Sequence, residues 1–176
     1  MGFFIFIGME KVFLNRTYGY KNFISENQKN VLLDWVDENI QSFRIHPTGP
    51  QRRNRRIKIE DSIYGLVMEI KNKIIEIENI ENWEEEPDYG DYIGINFKGG
   101  FIHSHQDPNK GELIHTRWNL ILSYPDLGGH SIYDNEINVL EESMIWRCVA
   151  GKYTHGSTVV ESEKKRITLS LGFLIK

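Results

Sequence analysis

The segment His103-Ser104-His105-Gln106-Asp107 carries residue types that bind metal ions. His105 and Asp107 stand two positions apart, so on extended backbone their side chains leave the chain on the same side. A third ligand must come from elsewhere. His155 supplies a candidate 48 residues after Asp107, in Ala150-Gly151-Lys152-Tyr153-Thr154-His155-Gly156. Two neutral imidazoles and one carboxylate make a facial triad. That arrangement holds Fe(II) and leaves positions open for a co-substrate and oxygen. His103 has the same strand parity as His105, so it either touches the substrate or fills space.

Arg166 follows His155 by 11 residues and begins the alternating run Arg166-Ile167-Thr168-Leu169-Ser170. On a strand, Arg166, Thr168 and Ser170 share one face. A buried arginine needs an anionic partner, because an unpaired buried charge is costly. Its planar fork matches a carboxylate at two points. A dicarboxylic co-substrate chelating the metal at one end would place its far carboxylate there, beside the hydroxyl of Thr168 or Ser170.

The chain changes character near residue 90, and the elements that would position these residues follow from that change. Before it the pattern is helical. Ser25-Glu26-Asn27-Gln28 reads as a capping box. Leu32, Val36, Ile40 and Phe43 then form one stripe, which predicts a helix over about residues 26–43. A second helix is expected to start at Asp61 or Ser62, with Ile63, Leu66, Val67, Ile70, Ile74 and Ile77 as its apolar stripe. From Tyr92 onward eight short strands are predicted, over 92–97, 101–104, 117–123, 130–133, 137–140, 144–149, 153–155 and 166–174. Gly99-Gly100, Pro125-Asp126 and Gly128-Gly129 mark turns between them. Helices followed by strands indicate an α+β fold in which two helices cover a sandwich or barrel. The expected organisation is one domain over residues 1–176, with a helical support over 1–90 and the strands over 91–176.

Over roughly residues 90–176 the sequence resembles the iron(II)/2-oxoglutarate-dependent oxygenases, whose core is a double-stranded β-helix, or jelly roll. The resemblance runs through His105-x-Asp107, Arg117-Trp118-Asn119, Pro125…Gly128-Gly129, Trp146-Arg147-Cys148-Val149-Ala150, His155 and Arg166…Ser170-Leu171-Gly172-Phe173. The preceding helices are similar to those of prolyl-hydroxylase-like members. The resemblance implies Fe(II) bound by His105, Asp107 and His155, and 2-oxoglutarate chelated to the iron with its 5-carboxylate on Arg166. It also implies a hydrogen bond from Asn119 to the co-substrate. Tyr124 falls near a co-substrate tyrosine of the prolyl hydroxylases, although its strand parity differs from that of Asn119. The implied reaction uses O2, decarboxylates 2-oxoglutarate to succinate and hydroxylates a substrate. Phe97 stands where prolyl hydroxylases carry a tyrosine, which departs from their co-substrate pocket. Asp107 argues against halogenation, since related halogenases lack that carboxylate.

Composition narrows the rest. The chain has 176 residues, 21 Lys plus Arg against 25 Asp plus Glu, and a net charge of −4. That balance excludes a general polyanion binder. The single cysteine, Cys148, excludes an internal disulfide and suits a reducing cytoplasm. Phe3–Ile7 is very apolar, but Glu10 and Lys11 follow at once, which is too short for a membrane span and reads as a first strand. Arg52, Arg53, Arg55, Arg56 and Lys58 form a basic run. It reads either as a solvated surface balancing the acidic stretch Glu84–Asp91, or as a dock for an anionic substrate or partner near the site. No aromatics interleave it, which argues against single-stranded nucleic acid. Two other readings compete with the oxygenase. A cupin-type metal site would use His103-x-His105 and a nearby Glu, but Asn109 and Lys110 stand at the expected positions and the next Glu is Glu112. A non-catalytic binding module has no use for an intact triad. The substrate, a protein side chain or a small molecule, is not readable from one chain.

Overall fold

The computed structural model describes residues 8–176. The expected strand at Phe3–Ile7 lies outside the described residues. Among the described residues thirteen strands form two antiparallel sheets. Eight of them make the core: β6 (Tyr92–Asn96), β7 (Ile102–His105), β8 (Ile114–Ser123), β9 (Ser131–Tyr133), β10 (Glu136–Asn138), β11 (Ile145–Cys148), β12 (His155–Ser157) and β13 (Arg166–Ile175). The larger sheet takes β11-β8-β13-β6 and the smaller takes β10-β9-β12-β7. Crossing between sheets in this way is the double-stranded β-helix, so the predicted α+β jelly roll and its eight strands are observed, with bounds moved by at most three residues.

The two helices pack on the outer face of the larger sheet. Helix α1 (Glu26–Asn39) buries Leu32, Trp35 and Val36, and α2 (Tyr64–Glu78) buries Val67, Ile70 and Ile74. They meet the outward residues Ile93, Ile95, Trp118, Leu120, Leu169, Leu171 and Phe173. Alternation then sends Asn96, Arg117, Asn119, Arg166, Thr168 and Ser170 inward, between the sheets. The capping box holds α1 at its start: Gln28 N donates to Ser25 Oγ at 3.2 Å, and Ser25 N donates to Gln28 Oε1 at 3.0 Å. The helix stops at Asn39, short of Phe43, where Asn39 Nδ2 donates to the Trp35 carbonyl at 2.9 Å and a short 3₁₀ turn follows. Helix α2 starts at Tyr64 without a side-chain cap. The Asp61 carboxylate expected to cap it is engaged by Arg55 at 2.5 Å and by Lys58 N at 2.8 Å.

The N-terminal part is not purely helical. Strands β1 (Glu10–Leu14) and β2 (Thr17–Lys21) extend the larger sheet beside β11, and β3 (Arg44–His46) and β4 (Gly49–Arg56) extend it beside β6. Strand β5 (Trp83–Glu85) pairs with the end of β13. Only β2 shows a short alternation, Tyr18 and Tyr20 about Gly19; β2, β4 and β5 pair directly with core strands, and β1 and β3 add to β2 and β4. At Gly19 a Cβ would run into the Ile145 carbonyl, so β2 can approach β11 only with glycine. Among the described residues no helix is long and apolar enough to cross a membrane.

One carboxylate ties α1 to two core loops. Glu142 accepts from Lys164 at 2.9 Å, from Lys29 at 3.0 Å and from the Tyr124 N–H at 3.2 Å. Burial pushes its pKa up, but these partners outweigh it and hold it at about 2. A depressed folded pKa adds stability above the unfolded value, roughly 4.3, and that stability is lost as pH falls through the folded value. Glu142→Gln is therefore expected to cost about 1–2 kcal/mol at pH 7. The gap to wild type should shrink toward pH 3. Urea unfolding at both pH values measures it.

Candidate active site

Strand pairing brings the metal-competent residues together. His105 ends β7, His155 begins β12, and the two are cross-strand partners. Their ring centroids are 4.3 Å apart. Asp107 lies just past β7, where its N–H donates to the Ala150 carbonyl at 2.9 Å and anchors the turn. One ligand atom from each of His105, Asp107 and His155 falls within 4.8 Å of the others. His105 Nε2 is 3.5 Å from Asp107 Oδ1, and His155 Nε2 is 3.7 Å from Oδ2. Each imidazole turns its Nδ1 to a carbonyl two residues earlier: His105 to His103 at 2.7 Å, His155 to Tyr153 at 3.4 Å. A carbonyl only accepts, so Nδ1 carries a proton; Nε2 donates to Asp107 when the ring is protonated, and in the neutral ring its lone pair is free for a metal. That is the tautomer a metal ligand needs.

The electrostatics suit a cation. Burial pushes Asp107 up, but the hydrogen bond with His105 and the positive field of His155, His115 and Arg117 bring it to about 2. Burial also drives His155 down to about 4, so it is neutral and able to ligate at pH 7. The hydrogen bond with Asp107 raises His105.

Behind Asp107 lies a charged network that the sequence reading missed. Arg117 Nε is 3.7 Å from Asp107 Oδ2, and His115 Nδ1 is 3.5 Å from the same oxygen. The other side of Arg117 pairs with Glu86 at 2.7 Å and donates to the Gly90 carbonyl at 3.1 Å. Glu86 is only 2% exposed and accepts from the N–H groups of Asp88, Tyr89 and Gly90 at 2.8, 2.9 and 3.0 Å. The acidic stretch Glu84–Asp91, read only as the counterweight of the basic run, thus buries one member as the support of the site. A signal existed: Glu-Pro-Asp-Tyr-Gly is a turn whose amides can wrap a preceding carboxylate.

A cavity of about 310 Å³ leads from the triad to Arg166. Arg166 is 5% exposed and donates to Ser131 Oγ at 2.9 Å. Burial lowers its pKa to about 10, so it stays charged at pH 7. Its Nε, the hydroxyl of Thr168 and Oδ1 of Asn96 are buried and have no hydrogen-bond partner among the described residues. Asn119 and Ser170 line the same cavity. Tyr124 does not. Five positions from Asn119, it has the opposite parity and lies just past the end of β8. Its hydroxyl meets His130 Nδ1 at 2.7 Å and the Leu140 N–H at 3.3 Å. Phe97 also turns away and packs on the helical side, with Arg53 over its ring at 5.3 Å. His103 and His46 line the cavity, as does Arg52, read from sequence only within the basic run; Asn96, Ser131 and His115 were not read as site residues from sequence.

No protein-family profile matches the chain, and no curated protein matches it. Solved structures do. A viral collagen prolyl hydroxylase from Paramecium bursaria Chlorella virus-1, in complex with 2-oxoglutarate, superposes with a TM-score of 0.67 at 13% identity, covering 96% of both chains. A Pseudomonas putida prolyl-4-hydroxylase gives 0.63 at 12% identity, covering 96% of this chain and 92% of that one. HygX from Streptomyces hygroscopicus, bound to nickel, 2-oxoglutarate and hygromycin B, gives 0.69 at 8% identity, covering 91% and 83%. Across almost its whole length the chain shares the fold of these three proteins.

Proposed function

We propose that this protein is an Fe(II)/2-oxoglutarate-dependent oxygenase that hydroxylates its substrate. One observation carries the reading. The cavity that opens on a His-Asp-His triad ends on a buried guanidinium whose Nε, with the neighbouring Thr168 hydroxyl, lacks a partner. A donor set of that kind fits a carboxylate, and its place opposite the triad fits a ligand with a chelating group at its other end. The fold shared with 2-oxoglutarate-bound structures supports the same assignment.

In this reading His105, Asp107 and His155 hold Fe(II), and Arg166 with Thr168 takes the 5-carboxylate of 2-oxoglutarate. Asn119 and Ser170, which line the same cavity, would flank the co-substrate. Bound Fe(II), with 2-oxoglutarate and O2, supplies oxidative decarboxylation to succinate and CO2 coupled to hydroxylation of a substrate C–H bond. The protein fixes ligand tautomers through the His103 and Tyr153 carbonyls, orients Asp107 through Arg117, and shields the inner cavity from water. The substrate is a protein side chain or a small molecule. A single buried thiol and an oxidisable metal suit a reducing, cytoplasmic setting.

The test is anaerobic addition of Fe(II) and then 2-oxoglutarate, followed by the visible metal-to-ligand charge-transfer band. Wild type is expected to show the band and His155→Ala to lose it. Arg166→Ala should need roughly 30-fold more 2-oxoglutarate, the scale of removing one partner of a desolvated charge pair. No band in folded, metal-loaded wild type would sink the reading.

A further inference from the structure

Strand β4 puts a second guanidinium into the cavity. The basic run lies along this strand and just beyond it, and alternation divides it. Arg53 and Arg55 turn toward the helices, where Arg53 lies over Phe97, and Arg55 pairs with Asp61 and lies over Trp35 at 4.4 Å. Arg56 donates to the Pro87 carbonyl, and Lys58 pairs with Glu60. Arg52 faces the other way and lines the cavity with Asn54. Among the described residues its side chain makes no hydrogen bond or ion pair. Tyr92, Tyr89 and Asp107 lie within its electrostatic reach, as do His46 and His105.

Arg52 is separate from the Arg166 end. The two are register partners of the same residue, Asn96, from opposite sides. Two strand spacings, about 9–10 Å, therefore separate their backbones. Arg166 has Ser131, Thr168 and Asn96 around it at the closed end, whereas Arg52 stands with His46 and Thr48 nearer the mouth. The Thr48 N–H donates to His46 Nδ1 at 3.2 Å, so the neutral ring carries its proton on Nε2 and offers a second donor.

The charge balance points outward from the co-substrate. Glu86 cancels Arg117. Arg52 and Arg166 then face one carboxylate, Asp107. A divalent metal and dianionic 2-oxoglutarate cancel each other, which leaves one positive charge in the cavity. A single carboxylate neutralises it; a phosphate dianion overshoots it. The cavity is at the small end of the range for ligand sites and must also hold the co-substrate.

We propose that Arg52 is the specificity residue of the primary-substrate subsite, and that the substrate is a small carboxylic acid whose carboxylate docks on its guanidinium. This rests on the oxygenase reading above. The test uses the full chain loaded anaerobically with Fe(II) and 2-oxoglutarate. The free L-amino acids and C3–C6 monocarboxylates are titrated calorimetrically, each beside its carboxamide. At least one acid is expected to bind about 30-fold tighter than its amide, with Arg52→Gln losing that margin. The half-saturating 2-oxoglutarate should stay within about threefold in Arg52→Gln but not in Arg166→Gln. Among the described residues Arg52 forms no ion pair, so its variant should melt with wild type. Acids binding no better than amides would overturn the proposal, as would an Arg52→Gln variant that loses 2-oxoglutarate as Arg166→Gln does. Wild type that binds metal but no 2-oxoglutarate would instead overturn the oxygenase reading beneath it.

Discussion

Asp107→Asn is expected to weaken Mn(II) or Fe(II) binding by more than about 100-fold, beyond the 10- to 100-fold typical of losing a residue that only supports a ligand. The carboxylate is the one anionic member of the triad. The amide keeps its shape but removes the charge, and its NH2 can turn donors toward the Nε2 atoms of His105 and His155. Those lone pairs would then be spent within the protein. The anchor at the Ala150 carbonyl uses the backbone N–H of residue 107 and is untouched, so the fold should survive. Electron spin resonance of free Mn(II) measures the affinity, and circular dichroism checks the fold. Unchanged affinity in a folded variant would mean that Asp107 is not a ligand.

Arg117→Met should be the most destabilising single change at the site, costing about 3–5 kcal/mol, because it leaves the Glu86 carboxylate buried without its cation. Burial alone would push Glu86 up. The Asp88 and Tyr89 amides and Arg117 together hold its pKa down, so it stays ionised at pH 7. The three amides of residues 88–90 remain in the variant, which places the expected loss nearer 3 than 5. Glu86→Gln in the same chain should recover part of it, since the orphaned charge is gone. A double-mutant cycle by urea unfolding reads that coupling directly. A second readout separates support of the site from support of the fold. Arg117 also faces Asp107, so metal affinity should fall about 10- to 100-fold in Arg117→Met even where the protein is fully folded. Additive losses with unchanged metal affinity would reduce the network to simple packing.

Much of the fold was legible because it is written at short range. The capping box at Ser25 and Gln28, the stripes of α1 and α2, and the eight core strands all follow from local periodicity. The alternation Arg166, Thr168, Ser170 was readable for the same reason, as was the opposite parity of Tyr124. The added strands were not. Tyr18-Gly19-Tyr20 is too short an alternation to read as a strand and the arginine-rich β4 has none, and they pair as strands on the edges that β11 and β6 offer.

The sequence by itself determined the metal-competent residue types, the same-side geometry of His105 and Asp107, and the inward face of β13. A period-two backbone sets those relations within a few residues. Only the tertiary structure decided that His155 stands opposite His105, that Glu86 lies buried under Arg117, and that Arg52 alone of its run turns into the cavity. Each of these depends on which strand pairs with which and in what register. Contacts between distant segments set that register, and no local pattern encodes it.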